Sequence, residues 1–234
     1  QCRFCKHQTT ITAGTAMEGS RTPLAKWRAC MECLASTNGI NAVQLAKAIG
    51  VTHKVAWTML RNLRRVISLI NQNQKLQGIV HAGMRCLGPY FLFVPYRRYN
   101  REHVVLISAS MDPATGKPET IKLRNVKDRY LDGKCLTKEG ERRFLSEDVH
   151  PESRHKTTLL SSYKMFGSPL RHYFEEAKGW LNRLFHGLGE KYLQHYLDEY
   201  SFRWNASSRQ LSLRDEWYKV CLYATRSCNV SGKP

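Results

Sequence analysis

At Gly78 the apolar residues change period. Before it they recur every three or four positions: Trp27, Met31 and Leu34 in TPLAKWRACMECLA, then Val43, Leu45, Ala46 and Ile49, then Val55, Ala56, Met59, Leu60 and Leu63. That spacing puts them on one side of a helix. After it, GIVHAGMRC, PYFLFVPYR, HVVLISASMD and ETIKLRNV read as strands, separated by turn residues such as Gly88-Pro89, Tyr99-Asn100 and Asp112-Pro113-Ala114-Thr115-Gly116. Helical period returns over 138–149, and 153–159 offers a further short strand. A chain of 234 residues with this order is a helical segment followed by a sheet of four or five strands with helices between and after them. This is an α+β or α/β arrangement, of a kind that houses metal-dependent nucleases.

The stretch 169–205 reads as two helices around Gly187-Leu188-Gly189. Leu170, Phe174, Ala177, Leu181 and Leu184 form one stripe, and Tyr192, Leu193, Tyr196, Leu197 and Tyr200 a second. Arg171, His172, Lys178, Arg183, His186, Lys191 and Arg203 fall between them, as a solvated basic back would. A last short helix is expected over 213–225, inside a basic, Ser-rich tail.

The formal net charge of +18 points to a polyanionic partner, most simply nucleic acid, although a membrane surface or a ribosome would also suit it. No apolar run reaches the roughly 18 to 20 residues that span a bilayer, and no signal peptide is expected. The first residue is Gln, so the sequence is expected to begin inside a longer product. There is no internal repeat, no glycine-rich phosphate loop and no convincing Ser-His-Asp order.

Cys2 and Cys5 form a CxxC knuckle, half of a tetrahedral zinc site. Cys30 and Cys33 form a second CxxC, but Trp27, Met31 and Leu34 surround it at helical spacing. The pair therefore reads either as ligands or as small apolar helix residues. In 22–35, Thr22 can cap a helix with Pro23 at its first position. Downstream, LAKAIGVTHKVAWTMLRNLRR has helix-turn-helix spacing, with Gly50-Val51-Thr52 as the turn and Thr52 as the cap of the second helix. The N-terminal residues of such a helix meet base edges in the major groove, here Thr52, His53, Lys54 and Trp57 or Thr58. Arg61, Arg64 and Arg65 would meet phosphates, which adds affinity without sequence choice. The alternative is an ordinary helical hairpin with a basic rim. The stretch 71–77 (NQNQKLQ) reads as a linker.

The order of CRFCKHQTTITAGT, SRTPLAKW, LAKAIGVTHKVAWTMLRNLRR and WLNRLFHGLGEKYLQHYLDEYSFRWN resembles that of a bacterial insertion-sequence transposase of the Merlin-related DDE group. The resemblance covers nearly all of residues 1–205. The opening knuckle with ITAGT and the ending YLDEYSFRWN are its specific parts. It implies a partial zinc ribbon over 1–20, a helix-turn-helix region over 21–76 and a ribonuclease-H-like domain over 77–205, with a basic tail over 206–234. Cys2 and Cys5 resemble the second knuckle of the ribbon and would bind zinc. The implied activity is excision and insertion of mobile DNA at terminal inverted repeats. The implied partners are double-stranded element ends and a second copy of the chain. The implied location is the bacterial cytoplasm at the nucleoid, or the nucleus of a eukaryote.

The family's chemistry needs three positions that hold two magnesium or manganese ions, one activating the attacking oxygen and one stabilising the leaving oxygen. By resemblance these positions match His81 on the opening strand, Thr158, and Arg171, seven residues before Lys178. A guanidinium cannot ligate a metal, and a single hydroxyl is a poor ligand. The expectation is therefore a transposase-family protein that binds DNA but has lost strand cleavage. Two alternatives are an active transposase whose acids lie elsewhere, among Asp112, Asp128, Glu175 and Glu176, and an unrelated basic RNA-binding protein. Asp112 also reads as turn chemistry. Glu175 and Glu176 read as solvated, or as partners of Arg171 or Lys178 along the helix.

Overall fold

A computed structural model describes residues 10–36, 39–88, 102–153, 158–160, 168–185 and 188–223, with backbone alone at 158–160. In chain order the elements are α1 (Leu24–Ala35), α2 (Ala42–Ile49), α3 (His53–Asn73), β1 (Ile79–Leu87), β2 (His103–Met111) and β3 (Pro118–Asn125). A single 3-10 turn, Asp128–Tyr130, follows. Then come β4 (Leu131–Asp132), β5 (Cys135–Leu136), α4 (Lys138–Asp148), β6 (Thr158–Leu160), α5 (Leu170–Leu184), α6 (Glu190–Ser208) and α7 (Leu213–Leu222). The described chain is mixed α+β. It divides into two compact units, Gln1–Ile67 with Leu211–Pro234, and Ser68–Gln210. No helix among the described residues is long and apolar enough to cross a membrane. The strand expected at PYFLFVPYR lies outside the described residues.

The first unit is helical and drawn from both ends of the chain. Trp27, Leu34, Leu45, Met59, Leu60, Leu63 and Trp217 are buried in it. Within the expected tail from residue 206, α6 ends at Ser208 and α7 forms where the short helix was expected, and α7 belongs to this unit. Its residues Arg214 and Tyr218 both reach Glu32 of α1, at 2.6 and 3.0 Å. The Ala16 N–H donates to the Cys221 carbonyl. An amphipathic ten-residue helix is marginal alone and forms here by burying Trp217 and Val220.

Helix α1 starts at Leu24, and Pro23 rather than Thr22 holds the cap position, with no side-chain cap bond. A residue before proline is pushed toward extended backbone, which keeps Thr22 out of the helix. Helix α2 has a capping box between Asn41 and Gln44 and ends on Gly50 at φ +63°. That left-handed cap suits glycine. Lys26 donates to the Ile49 carbonyl, a cation at the negative end of α2. Val43, expected in the core, is 53% exposed, because an eight-residue helix buries only Leu45 and Ile49.

The second unit holds a four-stranded sheet in the order β3-β2-β1-β6. β1 pairs antiparallel with β2 and β2 with β3, whereas β6 runs parallel to β1. The two sides of β1 bury different sets. Val80, Ala82 and Met84 pack with Phe144, Tyr130 and Val149, while Ile79 and Leu87 pack with Phe174, Leu181, Leu193 and Leu197 of α5 and α6. A strand alternates its side chains, so His81, Gly83 and Arg85 stand on the α5–α6 side. Both stripes of 169–205 do form helices, with Leu193, Leu197 and Tyr200 buried and Tyr192 and Tyr196 half-buried.

Strand β3 would leave an open edge, a template for unwanted pairing. α6 closes it with side-chain amides. Asn205 accepts from the Ile121 N–H at 2.8 Å and donates to the Ile121 carbonyl at 3.0 Å. Gln194 accepts from the Asn125 N–H at 2.8 Å and donates to the Leu123 carbonyl at 3.0 Å.

Candidate functional site

The recognition helix expected from sequence is α3. Thr52 caps it, accepting from the Val55 N–H at 3.3 Å. Thr52, His53, Lys54, Thr58, Arg61 and Arg65 are exposed and Trp57 is half-buried. The Arg61 guanidinium sits over the Trp57 ring, 5.1 Å from its centroid, which presents a flat cation-aromatic surface. The Thr58 hydroxyl donates to the Lys54 carbonyl at 2.8 Å, so Thr58 can offer a ligand only its lone pairs. Arg64 is a correction. It is 4% exposed and cannot meet a phosphate, because it falls on the side that carries Leu60, Leu63 and Ile67. A four-residue step keeps a side chain on its helical face, and Arg64 follows Leu60 by four.

The expected zinc ligands Cys2 and Cys5 lie outside the described residues. Cys30 is fully buried in α1. The Cys33 thiol is pushed up by burial and by the neighbouring Glu32 carboxylate, which disfavours the thiolate that zinc needs. The pair therefore fits a helix core better than a metal knuckle. Among the described residues no three His, Cys, Asp or Glu side chains group as metal ligands.

The three positions matched to the catalytic acids come from separate elements. His81 on β1 and Thr158 on β6 are register partners across the parallel pair. The Thr158 side chain lies outside the description. Arg171 is exposed in the first turn of α5. It lies near enough to Arg85 that its charge helps lower the Arg85 pKa, after burial, against the raising effect of Glu175. Glu175 pairs with Arg85 at 3.7 Å. Glu176 pairs with His172 at 3.2 Å. The sheet supplies Arg85 to Glu175, and His172 reaches Glu176 along α5. Sequence reading missed Arg85. Its signal was the two-residue period from His81 through Gly83. His81, Thr158 and Arg171 do not fit a pair of hard dications, which require carboxylate oxygens.

The substitute acids are placed elsewhere. Asp112 ends β2 and folds back on its own turn, accepting from the Ala114 N–H at 2.9 Å and the Thr115 hydroxyl at 2.6 Å. Those bonds, Thr115 first, hold its carboxyl below the usual range. Asp128 opens the 3-10 turn.

A second polar cluster in the same unit escaped the sequence reading. Asp198 of α6 is 3% exposed and accepts from Ser68 at 2.7 Å, Asn71 at 2.5 Å and Gln194 at 2.9 Å. Burial raises its carboxyl pKa, and the three donors oppose the rise. His195 Nδ1 lies 2.7 Å from the Ser68 hydroxyl. The order of contacts is Asp-Ser-His, with serine in the middle, so histidine cannot receive a proton from serine while oriented by aspartate. Next along the chain, Glu199 and Arg203 form a buried pair at 2.9 Å, which removes Arg203 from the solvated back expected of this helix.

No protein-family model, no curated protein and no solved structure matches the chain.

Proposed function

We propose that this chain is a transposase-family DNA-binding protein of a mobile element that recognises terminal inverted repeats and does not cleave strands. The observation that carries the reading is the pairing of His81 with Thr158 across β1 and β6. The resemblance calls for three separated sequence positions to meet in a mixed sheet flanked by helices, as in a ribonuclease-H-like domain. The mixed order β3-β2-β1-β6, with α5 packed on it, supports that architecture. The residue types at the three positions, His81, Thr158 and Arg171, argue against the reaction.

Duplex recognition is carried by the exposed face of α3. His53 and Lys54 would read base edges, and Arg61 and Arg65 would hold phosphates. The net charge of +18 strengthens association with any polyanion and supplies the non-specific part of binding. Zinc at Cys2 and Cys5, and assembly of two copies on paired element ends, belong to the same reading.

The test uses two readouts on the full chain. Band shifts compare inverted-repeat duplex, scrambled duplex and folded RNA. Nicking is followed on supercoiled DNA with magnesium or manganese. The expected result is a preferential shift of the repeat duplex without nicking. Specific nicking that disappears on replacing residues near 81, 158 and 171 would establish the active-transposase reading instead. Preference for RNA would establish the RNA-binding one.

A further inference from the structure

The last carbonyls of a helix have no partner within it and carry the negative end of its dipole. At the end of α2 the Ala46 carbonyl accepts from the Gly50 and Val51 N–H groups, the latter at 3.1 Å. The Ile49 carbonyl instead accepts from Lys26 Nζ of α1, at 2.5 Å and across 23 residues of sequence. The ammonium also lies beside Gly50, where an added Cβ would stand 3.6 Å from it. Lys26 is half-buried and its neighbour Trp27 is 1% exposed, so the backbone that carries the ammonium is anchored in the core.

Only Gly50, Val51 and Thr52 separate α2 from α3. Those three residues set the direction in which α3 leaves, and the exposed His53 and Lys54 follow at once. A hydrogen bond to a base edge tolerates a few tenths of an ångström, about the width of the ordinary distance range. A small tilt of α3 therefore costs base readout more than it costs a phosphate contact, which a long side chain can follow. We propose that Lys26 is a positioning residue for duplex recognition. By holding the Ile49 carbonyl it ties the Gly50–Thr52 turn to α1 and fixes the angle at which the α3 N-terminus meets the groove, without itself touching DNA. The proposal rests on the DNA-binding reading above and deepens it: sequence preference depends on a residue outside α2 and α3.

The test is fluorescence anisotropy of the full chain on inverted-repeat and scrambled duplexes across a sodium chloride series. Lys26→Met keeps the stem and removes the donor, and Lys26→Arg restores a cationic donor. Lys26→Met is expected to lower the preference for the repeat several-fold, by weakening repeat binding, with the salt slope on both duplexes unchanged. Lys26→Arg should recover most of that preference. Hydrogen exchange without DNA gives a second readout that needs only folded protein: the Gly50 and Val51 amides should exchange faster in Lys26→Met. A thermal midpoint that falls while preference and exchange at Gly50 and Val51 stay unchanged would overturn the proposal, since Lys26 would then be structural only. Equal losses on both duplexes, with the salt slope reduced by about 1, would also overturn it, by making Lys26 a phosphate contact. Both outcomes leave the DNA-binding reading standing. Absence of any repeat preference in the unaltered chain would overturn that reading and the proposal together.

Discussion

The cluster around Asp198 and the face around His81 and Arg171 lie in the same unit and treat charge in opposite ways. At Asp198 a buried carboxylate is surrounded by neutral donors: Ser68, Asn71 and Gln194. At Arg85 a mostly covered guanidinium pairs with the half-exposed Glu175 carboxylate of α5 at 3.7 Å. The difference separates a buried carboxylate held by neutral groups from an ion pair whose acid reaches solvent. A carboxylate that is to hold a metal keeps lone pairs for it, whereas those of Asp198 are taken by protein donors. The Arg85–Glu175 pair instead keeps its acid half exposed, where solvent screens the attraction. Asp198 is therefore consumed by the fold.

The largest expected effect tests the structural half of the contrast. Asp198→Ala leaves three donors without their acceptor in a buried place and should cost about 3 kcal/mol, read from the urea midpoint. If the variant kept its stability and instead changed a metal-dependent activity, the roles of the two clusters would be reversed. Adjacent arginines of α3 supply the next test. Arg64→Ala should destabilise the chain by about 2 kcal/mol, through lost packing and bonding, with little change in the duplex affinity of folded protein. Arg65→Ala should leave stability within about 0.5 kcal/mol and weaken binding to every duplex alike. Identical behaviour of the two would mean that the burial of Arg64 is misassigned.

Asn205→Ala removes the amide that closes the β3 edge at Ile121 and should cost about 1 to 2 kcal/mol. Faster hydrogen exchange at Ile121 would mark the opened edge, and unchanged exchange there would show that the amide does not seal it. The smallest effect is a pH dependence. Burial raises the Asp198 pKa above its unfolded value, so the folded chain binds more protons in the interval between the two. The contribution of Asp198 to stability should then fall as pH rises from the ordinary carboxylate range through the raised value. The stability of the unaltered chain relative to Asp198→Asn should decline over that interval. A gap that widened with pH would mean that the three donors, not burial, dominate.

Helix phases, the Gly50 turn, the Thr52 cap and the Asp112 turn were all legible along the chain, because each depends on residues within four positions of one another. So were the two stripes of 169–205, since burial of one helical face follows from spacing alone. The resemblance only proposed three positions, and their chemistry could be judged from residue type before any geometry. Tertiary structure decided what spacing leaves open. It put α7 in the first unit, turned Arg64 inward and Val43 outward, and brought Arg85 of the sheet to Glu175. It also paired His81 with Thr158 across 77 residues of sequence, and closed the β3 edge with the amides of α6. Those choices depend on which distant surfaces exclude water from one another and which buried donors then need acceptors. Such pairings are fixed only when the whole chain packs.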